Sequence, residues 1–383
     1  MRMMRRREFL GVLGTGASGL LVAACAAPTP AAPTSAPAAP TAAPAPTAPA
    51  GPTAASAAPT TAPAASAPLV PVRITDIQIT SAAGSYIAAE KGYFKDEGIE
   101  ARFMAVPSAE QVTAIVADSA DVAGAAINAQ LFNALARGLP IKMMADHGAN
   151  LKGASAGGLA VRKDLVESGA YTGAADLKGR KFAVGAQPKT STADIALTRW
   201  LQANAGLTED DLDTVTIGLP DMLPAFASKN IEASYWQEPF TTIALDQGLI
   251  VRGPIAYEMY PEQQIAVLVF GKKLSDNRDL SLRYLRAYTR GVRDYVKGLV
   301  DKEPPTRGEV VPILIQHTTV KDPSLFEKAI PSGLKSDPVP NVTSITDDLA
   351  WFVQSGQVQQ TFDLAPYLDV GLVQQAIEQV GRA

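Results

Sequence analysis

Residues Val72–Phe94 read "VRITDIQITSAAGSYIAAEKGYF", and the fold turns on them. Val72 and Ile74 alternate with Arg73 and Thr75 in a run rich in β-branched residues, which predicts a strand over Val72–Thr80. The small residues of "SAAGS" interrupt it. "YIAAEKGYF" then reads as a helix, with Ser85 placed as its N-cap, Gly92 as its stop, and Tyr93 and Phe94 as packing residues. A strand that passes through a short loop into a helix is half of a βαβ unit. A succession of such units builds a parallel sheet.

The pattern repeats along the chain. "IEARFMAV" (Ile99–Val106), "DVAGAA", "IKMMADHG", "RKFAVGA" (Arg180–Ala186), "DTVTIG", "EASYW" and "GLIVRG" all have strand composition. Helical stretches lie between them, among them "NAQLFNALARG", which stops at Gly138, and a helix capped by Ser191 or Thr192 that ends near Gly206. The expected class is α/β, each sheet mostly parallel and flanked by helices. Roughly 310 residues from Val72 onward exceed a usual single domain, so two lobes are expected.

Upstream, Arg2, Arg5, Arg6 and Arg7 precede an apolar run, Phe9–Ala24, that is diluted by glycines. This is the layout of an export signal over residues 1–24, too short and glycine-rich for a spanning helix. "RRREFLG" resembles a twin-arginine signal, although Gly11 stands where lysine is usual. "LVAAC" resembles a bacterial lipobox, which implies that Cys25 is the lipidated first residue of the mature chain and ties it to a membrane. Ala26–Pro68 holds only Ala, Pro, Thr, Ser and Gly. Such a segment buries too little surface to offset its ordering entropy, so residues 25–71 are expected to be the lipidated cysteine and a disordered linker.

Composition narrows the function. The formal charge is −4, and the signal holds several of the arginines, so the folded part is more acidic still and suits neither nucleic acid nor an anionic membrane face. Cys25 is the single cysteine, and His147 and His317 are the two histidines. No internal disulfide, cysteine centre or multi-histidine metal site can be built from them, and no cofactor is expected. No catalytic triad, Walker sequence or dinucleotide fingerprint is legible, so an enzyme is not expected.

"AAEKGYFKDEGIEARF", "DVAGAAINAQLFNALARGLPIKMMADHG", "ADLKGRKFAVGAQPKTSTADIALTRWLQANAGL", "NIEASYWQEPFTTIALDQG" and the terminal "DDLAWFVQSGQVQQTFDLAPYLDVGLVQQAIEQVG" occur in order along the chain. This ordered set resembles the solute-binding proteins of ABC importers for sulfonates, nitrate, taurine and thiamine precursors. The resemblance implies a two-lobed periplasmic-binding-protein type II fold that the chain crosses twice, near Gly157–Lys163 and Gln263–Lys272. Lobe one would be 72–160 with 266–383, and lobe two 161–265. It also implies an extracytoplasmic, lipid-anchored monomer that serves an ABC permease and its ATPase. A tethered sensor would use the same domain. The fold is shared with the eukaryotic thiamine-pyrimidine synthase, but that enzyme relies on cysteines absent here beyond Cys25.

In open α/β sheets the ligand crevice lies beyond the carboxyl ends of the strands. The loops there offer hydroxyls at Ser81, Ser85, Thr190, Ser191 and Thr192, and amides at Asn128, Gln130 and Gln187. They also offer carboxylates at Asp146, Asp221 and Glu238, and aromatic faces at Tyr86, Tyr235 and Trp236. These are the expected solute-binding residues, although Ser85, Ser191 and Thr192 also suit helix caps, Trp236 suits a core, and His147 suits a buried imidazole. One lysine, Lys189, stands against three acids. That excess of acceptors favours a donor-bearing heteroaromatic solute such as riboflavin or a thiamine-pyrimidine precursor, with Trp236 as a stacking wall. A sulfonate, taurine or nitrate held at helix N-termini is the alternative.

Overall fold

The computed structural model describes residues 68–383; the expected signal, Cys25 and nearly all of the expected linker lie outside the described residues. In chain order the strands are β1 (Val70–Asp76), β2 (Ile99–Ala105), β3 (Val122–Ala126), β4 (Ile141–Ala149), β5 (Gly157–Arg162), β6 (Lys181–Val184), β7 (Asp213–Thr216), β8 (Ala233–Gln237), β9 (Ile250–Ile255) and β10 (Gln264–Gly271). They form two five-stranded sheets, ordered β2-β1-β3-β10-β4 and β7-β6-β8-β5-β9. β1 pairs parallel with β2 and β3, and β6 parallel with β7 and β8. β10 and β5 run antiparallel to both of their neighbours. The cause is connectivity: each of these two strands has just arrived from the other sheet and enters from the opposite end.

The crossings are residues 150–156 and 256–263. β5 lies wholly in the second sheet and β10 wholly in the first, so the expected divisions at 160/161 and 265/266 fall inside strands and each crossing comes a few residues earlier. The two crossing segments bond to each other. Asn150 N–H donates to the Gln263 carbonyl at 2.9 Å, Glu262 N–H to the Asn150 carbonyl at 3.0 Å, and Asn150 Nδ2 to Gln263 Oε1 at 3.1 Å. Asn150 and Gln263 are buried. A double crossing held by such paired bonds can bend as a hinge.

β1 runs from Val70 to Asp76 and not to Thr80, because Thr80–Ala82 forms a 3₁₀ turn that feeds the helix Ala83–Glu90. The N-cap position is therefore Ala82, and Ser85 sits inside the helix. That helix crosses the long helix Arg278–Tyr295 at a glycine pair. A Cβ on Gly291 would lie 2.1 Å from the Gly84 carbonyl oxygen, and one on Gly84 would lie 2.7 Å from the Tyr288 ring. Only glycine permits this approach. The helix Val342–Gln354 packs on both Ala129–Ala136 of the first lobe and Thr192–Ala205 of the second. One buried apolar cluster accordingly runs through Phe132, Phe352 and Ile195 across both lobes. Among the described residues no helix is long and apolar enough to cross a membrane.

Candidate functional site

The carboxyl ends of β3 and β6 each lead into a capped helix. Asn128 Oδ1 accepts from Leu131 N–H at 2.8 Å, and Ser191 N–H and Oγ both donate to Asp194 Oδ2 at 2.8 Å. These caps fix the backbone on either side of the cleft, and there the lobes touch. Asn128 and Ser191 form an antiparallel bridge, with Ala129 N–H donating to the Thr190 carbonyl at 3.0 Å. Gln263, in the hinge, donates from Nε2 to the Thr192 carbonyl at 3.1 Å.

A second inter-lobe contact lies at the ends of β1 and β8. A small cavity of about 30 Å³ is walled on the lobe-one side by Thr80, Tyr295, Leu299, Val320, Leu325, Phe326, Ala329, Ile330 and Pro331, and on the lobe-two side by Glu238 and Pro239. Its lining is mostly apolar. Thr80 Oγ1 and Ser332 Oγ lie 2.7 Å apart beside it, and Ile77 and Ile79 are exposed on the loop that precedes Thr80. An ion pair between Lys328 and Asp246 (2.7 Å) joins the lobes outside the cavity. Among the described residues no group of acids and histidines could hold a metal ion.

The match that places the chain comes from the NMT1-like family model, which covers residues 65–294, more than half of the sequence. The chain belongs to the NMT1-like family. Among curated proteins, none matches it in sequence. This NMT1-like chain is similar in fold to the periplasmic aliphatic sulphonate-binding protein SsuA of Escherichia coli (TM-score 0.62, 16% identity, covering 79% of this chain and 92% of that one). It is also similar to the periplasmic nitrate-binding protein NrtA of Synechocystis PCC 6803 (TM-score 0.64, 16% identity, 82% and 90%). The desulfurization enzyme DSZB shares the fold as well (TM-score 0.57, 15% identity, 81% and 99%). The two-lobed α/β expectation stands, with each sheet carrying one antiparallel strand.

Of the expected site residues, the NMT1-like fold brings Asn128, Thr190, Ser191 and Thr192 together at the lobe contact. Ser81 is half-buried in the turn beside the cavity wall; Gln130 is exposed in the first turn of the helix Ala129–Ala136, Gln187 in the loop after β6, and Asp221 at the end of the 3₁₀ turn Leu219–Asp221. The others need correction. Trp236 is fully buried: its ring is stacked against Phe226 (5.4 Å) and Phe240 (6.1 Å), and its indole N–H donates to the Leu219 carbonyl at 3.0 Å. It is core of lobe two and offers a solute no face. Tyr235, on the other side of β8, is buried with its hydroxyl over Gly157, where a Cβ would come within 2.6 Å.

Asp146 is buried and accepts from Gln264 Nε2, Gly148 N–H and Lys335 N–H, so its acceptor capacity is used internally. Glu238 accepts from Arg252 (2.6 Å) and Thr242 N–H (3.0 Å); it borders the cavity with its charge already neutralised. Ser85 lies 3.3 Å from the Tyr284 hydroxyl in the lobe-one core. Tyr86 stacks on His317 (4.8 Å) beside Phe103. His147 is buried, 3.3 Å from the Tyr288 hydroxyl, and desolvation pushes its imidazole down to about 4, so it is neutral.

Sequence reasoning missed Asp76, Thr80, Ser332 and the hinge pair Asn150–Gln263. Asp76 closes β1, accepts Ile77 N–H at 2.6 Å with one oxygen, and has its other oxygen buried without a partner. Burial pushes its carboxyl up to about 7. An acid at the end of an apolar strand was the visible signal. Gln263 opened the expected second crossing, but its pairing with Asn150 and the place of Ser332 left no signal, because these contacts form only through the discontinuous first lobe.

Proposed function

We propose that this chain is the extracytoplasmic solute-binding component of an ABC importer, and that it captures a small organosulfonate between its lobes for delivery to a permease and ATPase. The observation that carries the reading is the mostly apolar cavity at the lobe boundary, flanked by the Thr80 and Ser332 hydroxyls, in a chain whose lobes are joined by two paired crossings. Closure of two lobes about a hinge buries a ligand between them. An apolar wall favours a solute with a hydrocarbon part over bare nitrate. The fold relatives that bind aliphatic sulphonate and nitrate support the anion class. A heteroaromatic vitamin has weaker support, since Trp236 has both ring faces against lobe-two residues and Asp146 and Glu238 are internally paired. Lipidation of Cys25 would hold the domain to the membrane through the Ala/Pro/Thr linker.

Calorimetry on the mature chain with taurine, nitrate, riboflavin and the alkanesulfonates from ethane to hexane tests the solute. The cavity of about 30 Å³ is itself water-sized, so a solute enters only where the lobes part. Each added methylene is then worth about 0.8 kcal/mol when buried, roughly a fourfold gain in affinity per carbon for as long as the parted lobes make room. Tight nitrate or riboflavin binding without any response to alkanesulfonates overturns the organosulfonate class and leaves the importer reading in place. Turnover of a bound sulfonate or sulfinate would instead favour an enzyme, as the likeness to a desulfurization enzyme allows.

A further inference from the structure

Behind the bridge that joins the lobes sit two buried carboxyls the solute site does not use. Asp194, in the first turn of the helix Thr192–Ala205, holds Ser191 through both its N–H and its hydroxyl. Ser191 and Thr190 are the lobe-two half of the inter-lobe bridge. Against Asp194 lies Glu209, from the 3₁₀ turn Glu209–Asp211, which is 3% exposed. Neither Glu209 oxygen has a hydrogen-bond donor. Two ionised carboxylates cannot share such a site, whereas one proton held between them satisfies both. The other ionisable groups facing the pair are Lys189, itself bonded to Asp210 at 2.7 Å, Asp210, and Tyr235 from β8.

We propose that Asp194 and Glu209 form a proton-dependent brace for lobe closure: with one proton shared they hold the Thr190–Ser191 segment against Asn128 and Ala129, and with that proton lost the segment loosens and the lobes part more readily. Desolvation and the Asp194 charge push the Glu209 carboxyl up to about 8, so the change falls on the alkaline side of neutrality. The sign follows from linkage. A carboxyl whose proton is held more tightly in the folded than in the unfolded state contributes stability that is lost as pH rises through its folded value. By the same linkage, a proton held more tightly with the lobes together than with them parted makes closure weaken as pH rises. The brace is independent of which solute the cleft takes.

Amide hydrogen exchange at Ala129, corrected for intrinsic rate, reads the bridge directly in the whole mature chain without ligand. Protection at Ala129 is expected to fall at least tenfold between about pH 7 and pH 9.5 while the Arg278–Tyr295 helix keeps its protection. Glu209→Gln donates an amide hydrogen to Asp194 at every pH and is expected to flatten that profile. Lys189→Met removes a charge that favours ionised Glu209 and is expected to move the midpoint to higher pH. Identical profiles for wild type and Glu209→Gln, or a parallel loss of protection in the long helix, overturn the brace. Should Glu209→Gln fail to fold, an unmoved midpoint in Lys189→Met overturns it as well.

Discussion

Trp236 fills the space between Phe226 and Phe240, and its removal would leave a hole that neither ring can close without leaving its own contacts. Trp236→Ala is expected to lower unfolding stability by about 3–5 kcal/mol in urea titration, with little change in solute affinity among molecules that remain folded. The residue type was legible, but its direction was not. β8 alternates, so Tyr235 faces the cluster shared by both lobes while Trp236 faces the one built with Met222 and Phe226. Which face a neighbouring helix covers is a tertiary matter that strand composition does not carry. Asp76 makes a second residue-level prediction. Its carboxyl holds a proton more tightly folded than unfolded, so that contribution to stability is present below about pH 4 and lost as pH rises through 7. Asp348, buried and also raised to about 7, acts in the same direction. Asp76→Asn is expected to reduce, not abolish, the fall in stability between about pH 5 and pH 8. An unchanged difference in unfolding free energy between the two pH values, read from denaturant titrations, would contradict it.

Between Gly84 and Gly291 the helices Ala83–Glu90 and Arg278–Tyr295 approach so closely that a single methyl group must displace backbone. Gly291→Ala is expected to cost about 1–3 kcal/mol by overpacking, visible as a lower melting temperature. The cost arises despite alanine's better helix propensity. Asn128→Ala removes the cap of the Ala129–Ala136 helix and is expected to cost about 1 kcal/mol in the same assay. Elements of this kind were the most readable part of the sequence. Gly92 and Gly206 do adopt left-handed backbone (φ 77° and 66°) just past helix ends, and Ser191 does cap its helix. Local rules decide caps and stops, so local sequence reveals them. The Ser85 cap failed for the same reason in reverse, because a 3₁₀ turn at Thr80–Ala82 starts the helical path earlier than any cap signal would indicate.

At the scale of the whole molecule, the α/β class was readable from repeated strand–helix alternation and the two lobes from chain length and the family resemblance, whereas the cavity wall was not. Eight of its lobe-one residues, from Tyr295 to Pro331, come from the stretch beyond β10, whose place against Thr80 depends on the second crossing. Anchoring belongs to this scale too. Cys25→Ala is expected to release or misprocess the protein without changing the melting temperature of the domain; fractionation that finds the variant as membrane-bound as wild type after signal cleavage would contradict lipidation. The strand order has a further bearing on biogenesis. Lobe two is one continuous segment, but the first sheet takes its fourth strand, β10, from chain made after lobe two is complete. A growing chain can thus finish its second lobe while β3 and β4 still present bare edges, and such edges invite pairing with other chains. The lobe that emerges first is the lobe that matures last, so this protein has a built-in interval of aggregation hazard, and it ends only when residues 264–271 slot between β3 and β4.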